Sequence, residues 1–551
     1  MIIYGCFAIL FTYVALNSRD TTQSHYFTKT FKNVLESTEL PPEIIPHYPR
    51  TYEDIATLDD VYNWFEHVAL PSLYPDKTRN AVIGTNVVLG RTRVRQVRVK
   101  EEDCAVPPVF DPMNTKCYPS YHSSRADKSD DPDNLIERYR ALVGRPDAPL
   151  PEWLKYTNTA NLAFANSVLE TNYGNSGYVI DISPDNVTKG YEDFAHAKAV
   201  GWLSANKTRA IFLEFVVYNT NVNLFATCTM SMEIFATAGI MPSSTWRVVN
   251  LARNLRVGSL ITFVLEFVVY GFVLLYFIIE VRNVRRWGWR EYLSDGYNWV
   301  TALNLLIFLV VACLEAYSIS TAHELLKKEE SDLATYELQG VAFYTYQVYN
   351  WNSFNALLSW VRIIKYLDII SKKTKQLAET LGRAAGGVAS LGIVFIIIYF
   401  AYSLAFYLAF GQDITTYHTV PNAIFGLFRA ILGDFEFKSL YESNRVLGPI
   451  LFVTFICICF FVLLNMFLAV IMTAYEEAAL YLETAEDELS SFIRRQLKRK
   501  VKTFVKQRYR ALINASEEVA DDSHLSEVPS HTTWWWWVVV GLLVVVLACV
   551  W

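Results

Sequence analysis

The sequence predicts an α-helical membrane protein with six transmembrane helices and a large α+β domain inserted between the first and the second. Four helices form one bundle, and the last two form a second module around a re-entrant loop. Three observations predict this plan: long charge-free apolar runs, their uneven spacing, and the sign of the charge between them. The 551 residues are 52% apolar and 15% aromatic, with 19% charged. That is too apolar for one soluble domain and too uneven for a uniform membrane protein.

A spanning helix needs roughly 20 largely apolar residues. Runs that meet this are Met1–Ser18, Gly258–Ile279 (interrupted only by Glu266), Gly296–Leu314, Leu338–Val361, Ala384–Gln412 and Val446–Tyr475. Arg19–Arg256 is long enough to be a whole folded domain, whereas the remaining runs are crowded together. The expected division is helix 1 at 1–18, the extracellular or luminal domain at 19–256 and helices 2–4 at 257–370. A linker at 371–383, the two-helix module at 384–476, a charged tail at 477–533 and an apolar, low-complexity end at 534–551 follow. A cleaved signal peptide is the competing reading of Met1–Ser18, but it lacks a basic n-region and would put the basic segments on the wrong side.

Lys and Arg favour the cytoplasmic side. "VRNVRRWGWR" follows the second run, "SKKTKQLAETLGR" the fourth and "FIRRQLKRKVKTFVKQRYR" the sixth, while "HELLKKEESDLATYE" between the third and fourth leans acidic. The cytoplasm therefore holds both ends of the six-helix core, and the large domain is outside or luminal. The net charge of −6 averages over these zones. The basic tail reads as a membrane-adjacent helix, with no nucleic-acid partner expected.

In the large domain, Cys104 and Cys117 form a near pair in a Pro-rich loop. A bridge would close a loop worth roughly 3 kcal/mol in chain entropy, and an oxidising compartment allows it; two free thiols are the alternative. Glycosylation sequons stand at Asn186 and Asn206, and a third at Asn514 is silent if the tail is cytoplasmic. "RTRVRQVRVK" (Arg91–Lys100) and "AIFLEFVVYNTNVNLF" (Ala210–Phe225) alternate like half-buried strands. The acidic "SDDPDN" lacks EF-hand spacing. No Gly-rich phosphate loop, zinc spacing or nucleophile elbow occurs, so neither an enzyme nor a cofactor is expected.

Between the last two runs lies "YHTVPNAIFGLFRAILGDFEFKSLYESNRVLGP", an apolar helix running to "LGD" and then a polar segment. Irregular backbone at membrane depth is tolerated only where protein buries it or it lines water. Six helices with such a segment are the plan of tetrameric cation channels, with a voltage-sensor-like bundle and a pore module. Four copies would ring a pore with Asp434 carboxylates and, toward the outer mouth, Glu436, above the Leu432 and Gly433 carbonyls. Permeant Ca²⁺ would bind transiently at Asp434 and Glu436. The alternatives are that Glu436 pairs with Lys438 or Arg445, and that Asp434 faces lipid or protein.

"RVRQVRV", "YNTNVNLF", "EIFATAGIMPS", "FRAILGDFEF", "ESNRVLGPI" and "LLNMFLAVI", in order along the chain, resemble the polycystin channels of the TRP superfamily. The resemblance implies that Arg19–Arg256 is the polycystin domain, which caps the tetramer through subunit contacts. It places Arg362 and Lys365 at the basic voltage-sensor positions, with Glu266 as an acidic partner. Thr301 stands where the family usually has an aspartate. Leu468 and Met472 fall on the gate positions, where the second is commonly Asn; helix packing is the competing role for both. A homotetramer is implied, or a heteromer with a polycystin-1-like subunit, in a ciliary or flagellar, plasma or endoplasmic reticulum membrane. The leading function is a non-selective cation channel; a receptor or adhesion subunit with a silent pore is the rival.

Overall fold

The computed structural model describes residues 2–41, 50–75, 85–107, 109, 116–130, 132–159, 167–168, 171–251, 259–294, 296–329, 333–367 and 372–484. The chain divides after residue 360 into two compact units.

The first unit opens with α1 (Ile2–Asn17), which carries no charge, and α2 (Thr21–Leu35), whose first turn is capped by Asp20 accepting from the Gln23 amide at 2.9 Å. α3 (Leu58–Trp64) starts with a Thr57–Asp60 capping box and continues through a π turn (Phe65–Ala69) into α4 (Leu70–Leu73). The strands are β1 (Asn86–Arg98), β2 (Glu102–Asp103), β3 (Lys116–Cys117), β4 (Tyr156–Thr157), β5 (Gly177–Ile182), β6 (Thr208–Asn219), β7 (Leu224–Ile234) and β8 (Ile240–Val249). Six of them form one antiparallel sheet in the order β4-β5-β1-β6-β7-β8, while β2 and β3 make a separate hairpin. Cys104 and Cys117 close that hairpin as a disulfide. Helices α5 (Leu135–Val143) and α6 (Val187–Val200) complete the domain.

The sheet buries both faces. Val94, Ile180, Leu213, Phe215 and Met230 share a core with Phe31, Trp64 and Phe194 from the helices. The opposite face was expected to meet solvent, because β1 alternates Val with Arg. It instead holds buried ion pairs: Arg95 to Glu214 at 2.9 Å and Arg93 to Asp181 at 2.9 Å. The stretch Ala210–Phe225 is likewise not one strand; β6 ends at Asn219 and the chain turns through Asn223, which has a positive φ, into β7.

That second face packs on a helical bundle within the same unit. α7 (Ser259–Trp287) is followed by the short α8 (Trp289–Tyr292), then α9 (Gly296–Leu325) and α10 (Thr335–Leu367). Val216 packs with Ala322, Leu325, Leu338 and Val341, and Phe225 with Ala342 and Tyr349. Gln339 donates to the Cys228 carbonyl at 3.2 Å and the Thr229 hydroxyl at 3.1 Å. α1 joins through aromatic contacts, with Phe11 5.0 Å from Phe308 and Phe7 5.4 Å from Tyr276. Buried polar groups inside the bundle pair with one another: Asn304 with Asn355 and Ser359, and Ser318 with Thr345.

The second unit contains α11 (Lys372–Phe410), α12 (Val420–Ile431), α13 (Phe437–Ser443) and α14 (Leu447–Phe455). A π segment (Ile456–Leu463) and α15 (Leu464–Thr484) complete it. The expected linker at 371–383 is helical from Lys372 onward and continuous with the fifth apolar run. Among the described residues, three helices are long and apolar enough to cross a membrane: Ile261–Trp287, Gly296–Leu325 and Val388–Phe410. Of the other expected spans, α1 has 16 residues, α10 is long but carries Gln339, Gln347, Asn350, Asn352 and Asn355, and the last is interrupted by the π segment. The apolar end at 534–551 and Asn514 lie outside the described residues.

Candidate functional site

The candidate site is the loop between α12 and α13. α12 is a short helix with Thr419 as N-cap, accepting from the Asn422 amide at 3.3 Å, and Pro421 in its first turn. Its Ala423, Leu427 and Ala430 pack into a core with Phe406 and Phe410 of α11 and Phe455 of α14. The helix is thereby held by apolar contacts on one side and ends abruptly. Leu432 and Gly433 turn back onto the last turn, their amides donating to the Phe428 and Ala430 carbonyls at 3.3 and 3.1 Å. Gly433 has φ +93°, a backbone conformation that side-chain-bearing residues rarely adopt.

The loop then exposes Asp434, Phe435 and Glu436. Phe435 and Phe437 rest on Phe452 of α14, at 4.7 and 5.4 Å between ring centres, which ties the far leg of the loop to the helix behind it. Gly448 lets α14 approach α13: a Cβ there would collide with the Leu440 carbonyl oxygen.

The two acids differ in their surroundings. Asp434 accepts from Arg429, at 2.8 Å from Nε and 2.6 Å from Nη2, and its amide donates to the Arg429 carbonyl at 3.0 Å. Glu436 has no ion pair among the described residues, and Lys438, its partner in the alternative reading, faces Glu442 at 3.7 Å. Arg429 is visible in "FRAILGD" but was not singled out; five residues separate it from Asp434, too far for a helical pair, and only the turn at Gly433 brings them together.

Leu468 and Met472 lie one turn apart on α15 and are 52% and 56% exposed in the single chain. Arg362 is near the end of α10 and buried; Lys365 is in the same helix, with its side chain outside the described residues. Glu266 lines a cavity of about 460 Å³ with Glu315 and Thr345. Glu315, on α9, is 7% exposed and accepts from Tyr270 at 2.7 Å. Glu315 is thus a second acid beside Glu266, not singled out in the sequence. Thr301 itself is buried and donates to the Tyr297 carbonyl of its own helix at 3.1 Å.

Both sequon asparagines of the large domain are exposed, Asn186 also capping α6 by accepting from the Lys189 amide at 3.1 Å. In the same domain, Asp133 meets Lys207 at 2.6 Å and also Arg98. Burial pushes its carboxyl up, but these two cations outweigh burial and hold it below the usual carboxylate range.

Two family models match in succession, "Polycystin domain" over residues 51–252 and "Polycystin cation channel" over residues 253–478. The chain belongs to the polycystin family. Human polycystin-2-like protein 1 is 28% identical over 85% of the chain and 57% of its own length. Mouse polycystin-2-like protein 2 is 29% identical over 82% of the chain and 71% of its own length. Mouse polycystin-1-like protein 3 is more distant, 23% identical over 78% of the chain and 19% of its own length. The chain thus spans little more than half of polycystin-2-like protein 1. The boundary between the matched models, at residues 252 and 253, falls between β8 and α7, so the polycystin domain here is the sheet domain with its covering helices. Polycystin channels are membrane proteins and not enzymes.

Proposed function

We propose that this polycystin is a subunit of a tetrameric, non-selective cation channel conducting Na⁺, K⁺ and Ca²⁺. The observation that carries the reading is the loop Leu432–Glu436. A short, well-packed helix, α12, delivers two exposed carboxylates to an irregular turn that leads into the seven-residue α13, the arrangement a ring of charges needs. In this reading Asp434 and Glu436 attract cations and transiently bind Ca²⁺, and Leu432 and Gly433 line the path below. Leu468 and Met472 close it at the cytoplasmic side, and Arg362, Lys365 and Glu266 respond to voltage. Six helices span the membrane, the polycystin domain is outside or luminal, and Asn186 and Asn206 are glycosylated there. The assembly is a homotetramer or includes a polycystin-1-like subunit, in a ciliary or flagellar, plasma or endoplasmic reticulum membrane.

One observation favours a second reading, a receptor or adhesion subunit with a silent pore: Arg429 neutralises Asp434 in the single chain. Single-channel recording of the purified chain in planar bilayers separates the two. Cation currents that Asp434→Asn alters in conductance or selectivity support the channel; a silent bilayer with a folded, tetrameric protein supports the receptor.

A further inference from the structure

Where α9 ends and α10 begins, a cavity of about 290 Å³ opens between the two helices. Three tyrosines line it, Tyr317 from α9 and Tyr336 and Tyr344 from α10, with Glu324 and Lys328 also on its wall. Tyr317 and Tyr344 meet edge to face, 4.9 Å between centres and 76° between planes. The Glu324 carboxylate has no ion pair among the described residues, while Lys328 bonds Glu337 at 2.8 Å.

The polycystin domain contributes one residue, Asn175, which is 5% exposed and lines the same cavity. Its backbone carbonyl accepts from Thr159, but its carboxamide makes no hydrogen bond among the described residues. The residue is on the cavity wall, so its amide is available to a ligand there.

We infer that this cavity is a binding site for a quaternary ammonium group. Aromatic faces attract a cation through the ring quadrupole, and a ring-lined pocket with a nearby carboxylate suits a cation with no N–H to donate. A primary ammonium would instead seek the hydrogen-bond acceptors on the wall, such as Thr321 and Glu324, whereas a quaternary one is held by the ring faces. Tyr336 already carries the Arg93 guanidinium 5.2 Å from its ring centre, and Asp181 neutralises that arginine. A phosphate attached to the ammonium would meet Asn175 and Lys328, sharing the latter with Glu337 on the same wall, so the zwitterionic headgroup of phosphatidylcholine uses both the aromatic and the basic side of the cavity. A free choline-type cation would use only the tyrosines and Glu324.

The test uses the full-length protein in nanodiscs of mixed phosphatidylcholine and phosphatidylethanolamine, with retained lipid counted by native mass spectrometry. Phosphatidylcholine is expected to be retained several-fold over phosphatidylethanolamine. Tyr317→Ala and Glu324→Gln should each erase that preference, and Tyr317→Phe should keep it, because the ring face and not the hydroxyl makes the contact. Glu324 is exposed, so its replacement leaves the fold intact and keeps the test valid should Tyr317→Ala destabilise the bundle. In a second arm, choline chloride is titrated onto protein in phosphatidylglycerol nanodiscs and the melting temperature is followed. A rise that Glu324→Gln abolishes identifies a soluble cation as the occupant; lipid preference without that rise identifies the headgroup. Equal retention of both lipids with no response to choline overturns the inference, as does retention that neither variant changes. The readout is binding, so its failure is distinct from an absence of ion current.

Discussion

Asp434 and Arg429 pair across the Gly433 turn with both side chains well exposed, at 65% and 63%. Exposed pairs contribute about 0–1 kcal/mol. A cation about 4 Å from one carboxylate gains roughly 1 kcal/mol in water and roughly 4 at an effective dielectric near 20. In the proposed channel an arriving ion would compete with Arg429, and the arginine would tune the site without blocking it. Replacing Arg429 with Gln is expected to raise Ca²⁺ permeability relative to Na⁺, and Asp434→Asn to lower it, both read as reversal potentials in mixed solutions. Arg429→Gln currents that reverse where the wild type does would place the pair away from the ion path. Also at this scale, Asp133 has a depressed carboxyl pKa in the folded domain. Its stabilisation is present above the unfolded value of about 3.9 and fades as pH falls through the lower, folded one. Acid unfolding of the polycystin domain should therefore shift to higher pH in Lys207→Met, which removes one of the two cations; an unchanged acid midpoint would remove Asp133 from the account. The acidic pair of the loop was legible from "LGDFE", but its partner was not. An alternating pattern shows which residues share a face of a strand, not what covers that face. Arg93 and Arg95 therefore read as solvent-facing until Asp181 and Glu214 appear beside them.

At the scale of elements, the apolar runs located α7, α9 and the core of α11 well, because hydrocarbon-length runs without charge leave few other structures open. α10 was harder: its tyrosines, asparagines and glutamines are polar by composition, and they make sense only against the sheet and the neighbouring helices that satisfy them. The π segment at Ile456–Leu463 had no signal, since an inserted residue in a uniformly apolar run changes no pattern. α15 follows it directly, so the face that Leu468 and Met472 present depends on the register that segment sets. Both are exposed in the single chain, which suits a constriction made by several copies. Met472→Asn should then hydrate an apolar ring that closes by dewetting, raising open probability at rest in single-channel records. A variant with unchanged spontaneous opening would return both residues to helix packing.

Across the larger unit, the sheet of the polycystin domain, the C-terminal end of α9 and the N-terminal half of α10 form one packed body. Gln339, Ala342 and Tyr349 of α10 are committed to the sheet, and Arg19 lies over the rings of Tyr346 and Tyr349 at 5.2 and 5.1 Å. A helix held along that length cannot slide as a unit without breaking those contacts. The charge available to drive such a movement is also small. Two basic residues in each of four chains, crossing the entire field, would supply about 18 kcal/mol per 100 mV. Arg362 and Lys365 stand near the end of α10, beyond the part bound to the sheet, so as the proposed sensor they would sweep only a fraction of the field by local bending. The conductance–voltage relation should accordingly be shallow, with a gating valence well below the roughly eight charges of that limit. Neutralising Arg362 with Gln should flatten it further without abolishing conduction. A steep relation near the full valence would mean that α10 travels as a rigid rod, and that the contacts between α10 and the polycystin domain break each time the channel opens.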